Sequence, residues 1–211
     1  MTKYNYWWFD GILPSSFCDD VVSYALEQKD SLAVIGGWQK KFEDKTITKD
    51  DIRNLKNVRD SKVVWLDANW IYRMIIPFVE VANKKAGWNY QIDYPEQCQF
   101  TKYQLNQYYD WHQDADNFIP DDGPQKGTLR KLSMTCQLTD GSEYEGGELE
   151  FDFRDYNPVQ RDEAKHLIKC TEIMKKGSIV VFPSYLWHRV KPVTKGTRYS
   201  LVCWHRGKSS V

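Results

Sequence analysis

A chain of 211 residues with 29 basic and 29 acidic side chains carries no formal net charge, which argues against a large electrostatic footprint for nucleic acid or an anionic membrane surface. That length suits one domain whose core folds without a metal or disulfide staple, so a metal site here would serve chemistry. Five scattered cysteines, odd in number and without a C-x-x-C pair, fit neither a disulfide framework nor a zinc cluster and point to a reducing compartment.

The opening MTKYNYWWFDG lacks the apolar run of a signal peptide, and the longest apolar segments fall far short of a membrane span, so a cytoplasmic protein is expected. Ser16-Phe17-Cys18-Asp19 reads as a variant capping box, followed by Cys18, Val21, Val22 and Ala25 at helical spacing. Residues 30–57, with Gly36-Gly37 and many charges, read as a long connection holding at most a short helical turn near residues 50–55. Val63 to Leu66 form a short strand. Asp67 or Asn69 then caps a second helix with Trp70, Ile71, Met74, Ile75 and Phe78 on one face, which Pro77 kinks or interrupts.

From about residue 90 the pattern changes to strands: 97–103, the stretch YYDWHQD at 108–114, 132–138, 148–154, 179–182 and 198–206. Leu149, Phe151 and Phe153 share one face, and Ile179 to Phe182 suit a strand buried on both sides. FIPDDGPQKG, residues 118–127, is a turn-rich surface loop. The expected class is α+β, mainly β, in a single domain: a helical lead over about 1–90 and a barrel or double-sheet roll over about 91–207.

A strand alternates its faces, so His112 and Asp114 project together. Alone, H-x-D is a weak motif, and its plain reading is a hydrogen-bonded pair at a strand end. Two imidazoles and one carboxylate around an iron, with the other positions open to a co-substrate and dioxygen, is the arrangement of non-haem Fe(II) oxygenases. Three histidines are candidates for the third ligand. His188 follows a short apolar strand closed by Pro183, where a roll presents side chains at its mouth. His166 lies in a charged, solvent-facing stretch. His205 shares a strand with Arg198, and strand parity sends the two to opposite faces, so if Arg198 faces the pocket, His205 does not. A 2-oxo acid that chelates iron at one end leaves a second carboxylate, which a guanidinium holds through two charge-assisted hydrogen bonds. Without His188 ten residues earlier, Arg198 reads as half of a surface ion pair.

Tyr103, Tyr109-x-x-His112-x-Asp114, YEGGELEF and KKGSIVVFPSYLWHRVKPVTKGTRYSLVCW together resemble the prolyl 4-hydroxylase-like branch of the 2-oxoglutarate- and Fe(II)-dependent dioxygenases. FCDDVVSYA and VRDSKVVWL are similar more weakly. The resemblance implies a double-stranded β-helix (jelly roll) core with N-terminal supporting helices. It implies Fe(II) on His112, Asp114 and His188, with 2-oxoglutarate held by Arg198 and Tyr103. Dioxygen would be the second co-substrate and ascorbate a reductant. Trp204 and Tyr109 would wall the substrate pocket, although strict alternation places Tyr109 opposite His112 and demands a bulge. Collagen-type members anchor the co-substrate with lysine. Arginine at 198 moves the protein toward bacterial-type and oxygen-sensing relatives.

The implied activity is hydroxylation of a peptide or protein side chain, with a proline-containing partner and neither nucleic acid nor membrane. Asp114 argues against a halogenase, which lacks the carboxylate, and Trp204 stands where a nucleic-acid demethylase would carry a second arginine. A small-molecule or free amino acid hydroxylase is the alternative within the superfamily. An iron-free jelly-roll binding module is the alternative from another class, and the intact His112, Asp114, His188 and Arg198 set speaks against it. The 30–57 and 115–127 segments read either as lids over a substrate or as plain connections. Sequence leaves the oligomeric state open.

Overall fold

The structure, a computed structural model, describes residues 4–32, 41, 43–116, 118–154 and 167–208; His166 and the middle of the 30–57 stretch lie outside them. The described part runs β1 (Trp7–Phe9), α1 (Ser15–Leu26), β2 (Ser31–Leu32), α2 (Lys49–Val58), β3 (Arg59–Asp60), β4 (Lys62–Leu66), α3 (Asn69–Lys85), β5 (Tyr94–Pro95) and β6 (Cys98–Tyr103). It continues with β7 (Tyr108–His112), β8 (Thr128–Gln137), β9 (Tyr144–Gly146), β10 (Leu149–Asp152), β11 (Leu167–Lys169), β12 (Ile179–Pro183), β13 (Trp187–Val190), β14 (Val193–Gly196) and β15 (Arg198–Lys208).

The larger sheet has the order β1-β12-β8-β15-β6-β4-β2, with β5 also paired to β15, and the smaller has the order β11-β10-β13-β7-β3. From β6 to β15 the backbone passes back and forth between them. β6, β8, β12 and β15 lie in the larger sheet, and β7, β10 and β13 in the smaller. This is the winding of a double-stranded β-helix. The N-terminal lead is not only helical, since it gives β1, β2 and β4 to the larger sheet and β3 to the smaller.

Period-two alternation divides the larger sheet into two unlike faces. Phe100, Leu132, Met134, Cys136, Leu201 and Cys203 form one core cluster with Val21 and Ala25 of α1 and Ile75 and Val79 of α3. The alternate residues Gln99, Thr101, Ser133, Thr135, Gln137, Arg198 and Ser200 are also buried. They face the smaller sheet. Toward one side of that interior, Val180 and Phe182 pack with Leu149, Phe151 and Val190 across the two sheets. Elsewhere the space between the sheets is lined by polar groups, which are costly to bury unless they find partners.

Several local expectations need correction. α1 begins after Pro14 without a side-chain cap, so the box read at Ser16 is absent, and its buried stripe is Phe17, Cys18, Val21 and Ala25. In place of a short turn near 50–55, α2 is a full helix of ten residues, started by a capping box. Thr48 Oγ1 accepts from Asp51 N–H at 3.1 Å, and Asp51 Oδ2 accepts from Thr48 N–H at 3.0 Å. α3 has Ala68 as its N-cap with no side-chain bond, and it runs unbroken through Pro77. Pro77 sits on the exposed side, where a helix can curve toward solvent. Trp70 and Met74 are exposed, leaving Ile71, Ile75, Val79 and Ala82 as the buried stripe. β10 stops at Asp152, and both of its faces are buried. Arg189 and Arg154 cover the second face by pairing with Glu150 and Asp152.

Candidate active site

β7 and β13 pair antiparallel with His112 directly across from His188, and the ring centroids are 4.1 Å apart. Asp114 lies two residues beyond the end of β7. Its N–H and that of Ala115 both donate to the Ser184 carbonyl at 2.9 Å, which turns the carboxylate back toward the imidazoles. Asp114 Oδ1 is 3.6 Å from His112 Nε2, and Oδ2 is 3.4 Å from His188 Nε2. The three donors lie within 4.8 Å of one another.

Each imidazole is oriented from behind. His112 Nδ1 meets the Asp110 carbonyl at 2.7 Å, and His188 Nδ1 meets the Leu186 carbonyl at 2.9 Å. A carbonyl only accepts, so each Nδ1 carries a proton, and each Nε2, the nitrogen nearer Asp114, is the atom left for a metal. Burial, reinforced by neighbouring His188, holds His112 well below the usual histidine range. Burial pushes the Asp114 carboxyl up, but His188, His112 and Arg130 outweigh it and hold the group ionised. Two imidazole nitrogens and one carboxylate suit a divalent transition metal with open positions.

The same cavity is lined by Tyr103, Tyr109, Arg198 and Trp204. Tyr109 stacks on His112, centroids 3.4 Å apart and planes 10° from parallel. The pairing of β7 with β13 shifts register between His188 and Val190, which face His112 and Tyr109. Three steps on β7 therefore match two on β13, and the surplus residue swings Tyr109 onto the His112 face. Arg198 is 1% exposed, opposite Tyr103 on β6, with its guanidinium carbon 5.6 Å from that ring. Its Nη1 is sealed from solvent and has no hydrogen-bond partner among the described residues. A buried, unpartnered guanidinium fits an incoming carboxylate. His205 is buried but does not line this cavity, in keeping with strand parity.

Two features were not picked out from sequence. Arg59, at the start of β3, lines the cavity with its guanidinium carbon 4.4 Å from the Tyr109 ring centroid. Its signal was the Arg59-x-Ser61 spacing in VRDSKVVWL, which brings a hydroxyl within reach of the guanidinium. The second is a charge network behind Trp204. The Arg130 guanidinium carbon lies 4.0 Å from the Trp204 ring centroid, and the side chain donates to Glu96 through Nε and Nη2 at 2.8 and 2.6 Å. Arg206 donates to Glu96, Asp116 and Thr128. Burial opposes ionisation of Glu96, but the two arginines outweigh it and hold its carboxyl below the usual range. Asp116 follows Asp114 by two residues, so the network fastens the backbone just past the carboxylate.

The profile of the 2OG-Fe(II) oxygenase superfamily matches residues 98–206. A PKHD-type hydroxylase of Alteromonas mediterranea is 35% identical over 106 residues, covering 50% of this chain and 41% of that protein. The PKHD-type hydroxylase YbiX of Escherichia coli is 34% identical over 106 residues, covering 50% and 40%. The matched stretch thus spans about two fifths of those relatives' own length. Among solved structures, the viral collagen prolyl hydroxylase of Paramecium bursaria Chlorella virus-1, in its 2OG complex, superposes with a TM-score of 0.60 at 21% identity over 97% of each protein. A prolyl hydroxylase of Trichoplax adhaerens, in complex with a hypoxia inducible factor oxygen degradation domain peptide fragment, superposes with a TM-score of 0.64 at 18% identity. That match covers 95% of this chain and 83% of the other. At these identities the superpositions show a shared fold.

Proposed function

From the premise that the chain belongs to the 2OG-Fe(II) oxygenase superfamily, we propose that it hydroxylates a peptide or protein side chain, a prolyl residue first among candidates. The observation that carries this reading is the convergence of His112 Nε2, His188 Nε2 and the Asp114 carboxylate in a cavity shared with the unpartnered Arg198 guanidinium. The two histidines and Asp114 would hold Fe(II), and Arg198, flanked by Tyr103, would hold the far carboxylate of 2-oxoglutarate. Bound there, the metal would supply dioxygen activation, with 2-oxoglutarate as the two-electron donor, one oxygen atom going to succinate as carbon dioxide is lost and the other to the substrate.

The protein's own part is binding and exclusion. Arg198 supplies a fixed charge that is itself buried, where its attraction for a carboxylate is stronger than at the surface. Leu149, Val190 and Val202 line the same cavity and give it apolar walls. Trp204, held under Arg130, and Tyr109, stacked on His112, would bracket the substrate carbon. The 115–127 loop would serve as the lid. Its base is fastened through Asp116 to Arg206, and its outer turn offers Phe118 and Ile119 to solvent.

The test is incubation with Fe(II), 2-oxoglutarate and a panel of proline-containing peptides and free amino acids. It is read by mass spectrometry for the gain of about one oxygen atom and by succinate release. Succinate in step with a hydroxylated peptide supports the reading. Absence of succinate under any condition removes the oxygenase, and hydroxylation of free amino acids alone transfers the activity to small molecules.

A further inference from the structure

Arg59 is 4% exposed and is held by neutral oxygens: Nε donates to Ser61 Oγ at 2.9 Å and Nη2 to Gln99 Oε1 at 2.7 Å. Among the described residues no carboxylate reaches it within ion-pair distance, and its Nη1 makes no hydrogen bond to protein while Arg59 lines the cavity. A buried cation without an opposite charge is unfavourable, and ring contact with Tyr109 offsets only part of that cost.

The charge count of the cavity has the same implication. Among its lining groups Arg59 and Arg198 are cations and Asp114 is a carboxylate, while a metal takes His112 and His188 through unprotonated nitrogens, so the two rings add no charge. Behind the wall, Arg130 and Arg206 are balanced by Glu96 and Asp116. Adding a ferrous ion and a 2-oxoglutarate dianion leaves one positive charge uncompensated. Arg198 is taken up by the co-substrate on the oxygenase reading, so the surplus falls on Arg59.

We infer that Arg59 is a specificity-determining residue that receives a carboxylate of the substrate, so that the substrate is a monoanion at the point where it enters the site. This rests on the oxygenase reading and narrows it to substrates with a carboxylate close to the reacting carbon. The carboxylate has two available sources: the α-carboxylate of a free amino acid or of a peptide's last residue, or an acidic side chain beside the reacting residue. Both present the same planar group to the same fork of donors.

The experiment measures binding without oxygen, with Fe(II) and 2-oxoglutarate bound, by ligand-observed NMR on three matched pairs. L-proline is set against L-prolinamide, acetyl-Gly-Pro against its C-terminal amide, and acetyl-Asp-Pro-Gly-amide against acetyl-Asn-Pro-Gly-amide. In at least one pair the carboxylate member should bind the wild-type protein about tenfold tighter, and the identity of that pair names the source. Arg59→Gln should bring that pair within about twofold, and Arg59→Lys should restore part of the preference. No preference in any pair on the wild type, or a preference that survives in Arg59→Gln, overturns the inference. Succinate formation by the wild type in air is measured alongside. Succinate without a carboxylate preference sinks this inference alone, whereas absence of succinate sinks the oxygenase reading.

Discussion

Tyr109 lies face to face with His112, 3.4 Å between centroids, although an ideal strand would set them on opposite sides. The extra residue that brings them together stands in the pairing of β7 with β13, next to the register His112–His188. The stack therefore steadies the imidazole plane, while the Asp110 carbonyl holds Nδ1. Tyr109→Phe keeps the ring and should leave Co(II) affinity within about twofold, whereas Tyr109→Ala should weaken it by about tenfold, the scale on which supporting contacts tune a metal site. Equilibrium dialysis against Co(II) checks both.

The isolation of Arg198 makes a prediction of opposite sign for stability and binding. Without a carboxylate ligand, a sealed guanidinium costs stability, so Arg198→Met should melt no lower than the wild type. With Mn(II) present, 2-oxoglutarate at about a hundred times its Kd should add about 2.7 kcal/mol to the wild type. The variant should lose most of that gain. Thermal melts with and without co-substrate measure both effects, and a full ligand shift in Arg198→Met would assign the anchor to another cation.

His205 predicts a pH dependence. Burial pulls it down to about 4, and neither ring nitrogen has a hydrogen-bond partner among the described residues. The unfolded protein takes up a proton near pH 6.5, while the folded one resists until about pH 4. The neutral form therefore favours folding fully above pH 6.5, and that contribution is lost as pH falls from 6.5 toward 4. His112, lowered in the same direction, adds to the slope. Urea unfolding should show stability falling by roughly 1 kcal/mol from His205 alone between pH 7.5 and 5.5. His205→Leu should flatten that fall, raise stability at both pH values, and leave Co(II) binding intact.

Pro77 offers a check on the helix that sequence expects it to kink or interrupt. α3 is continuous there because its hydrogen-bond ladder lacks one donor on the exposed side only. Pro77→Ala restores that donor and should stabilise the protein by about 1–3 kcal/mol, read as a higher urea midpoint at unchanged slope.

What the sequence disclosed and what it hid follow one physical division. Strand parity separated Arg198 from His205, because a period of two is rigid over a strand, whereas Asp114 lies past the end of β7 and reaches His112 through the backbone bonds to Ser184. The same rule required a bulge for Tyr109 but could not locate it, since a bulge depends on the partner strand. α2 was underestimated because its capping box uses aspartate at the third position and its composition is mostly polar, with Ile52, Leu55 and Val58 as its only apolar residues. Arg59 was hidden because a two-residue strand has no periodicity, and its role arises from pairing with Tyr109, fifty residues away.

Arg206 supplies the last prediction. It is fully buried at the far end of the strand that begins with Arg198. Its four hydrogen bonds, 2.7–3.0 Å long, tie Glu96, Asp116 and Thr128 together. Asp116 also accepts the Arg130 N–H at 3.1 Å, so one arginine closes both ends of the loop that leaves the site at Asp114. Arg206→Met leaves two carboxylates short of their partner and should cost about 3–5 kcal/mol. Glu96→Gln leaves part of the charge on Arg206 unopposed and should also be costly. Because the two side chains share one network, their combined loss should fall short of the sum by about 0.5–3 kcal/mol. Arg206→Lys keeps the charge but not the fork. It should fold, yet bind Co(II) more weakly as the backbone beyond Asp114 loosens. Strict additivity in urea unfolding, or Co(II) affinity unmoved in Arg206→Lys, would make the network a structural clasp with no hold on the metal ligand.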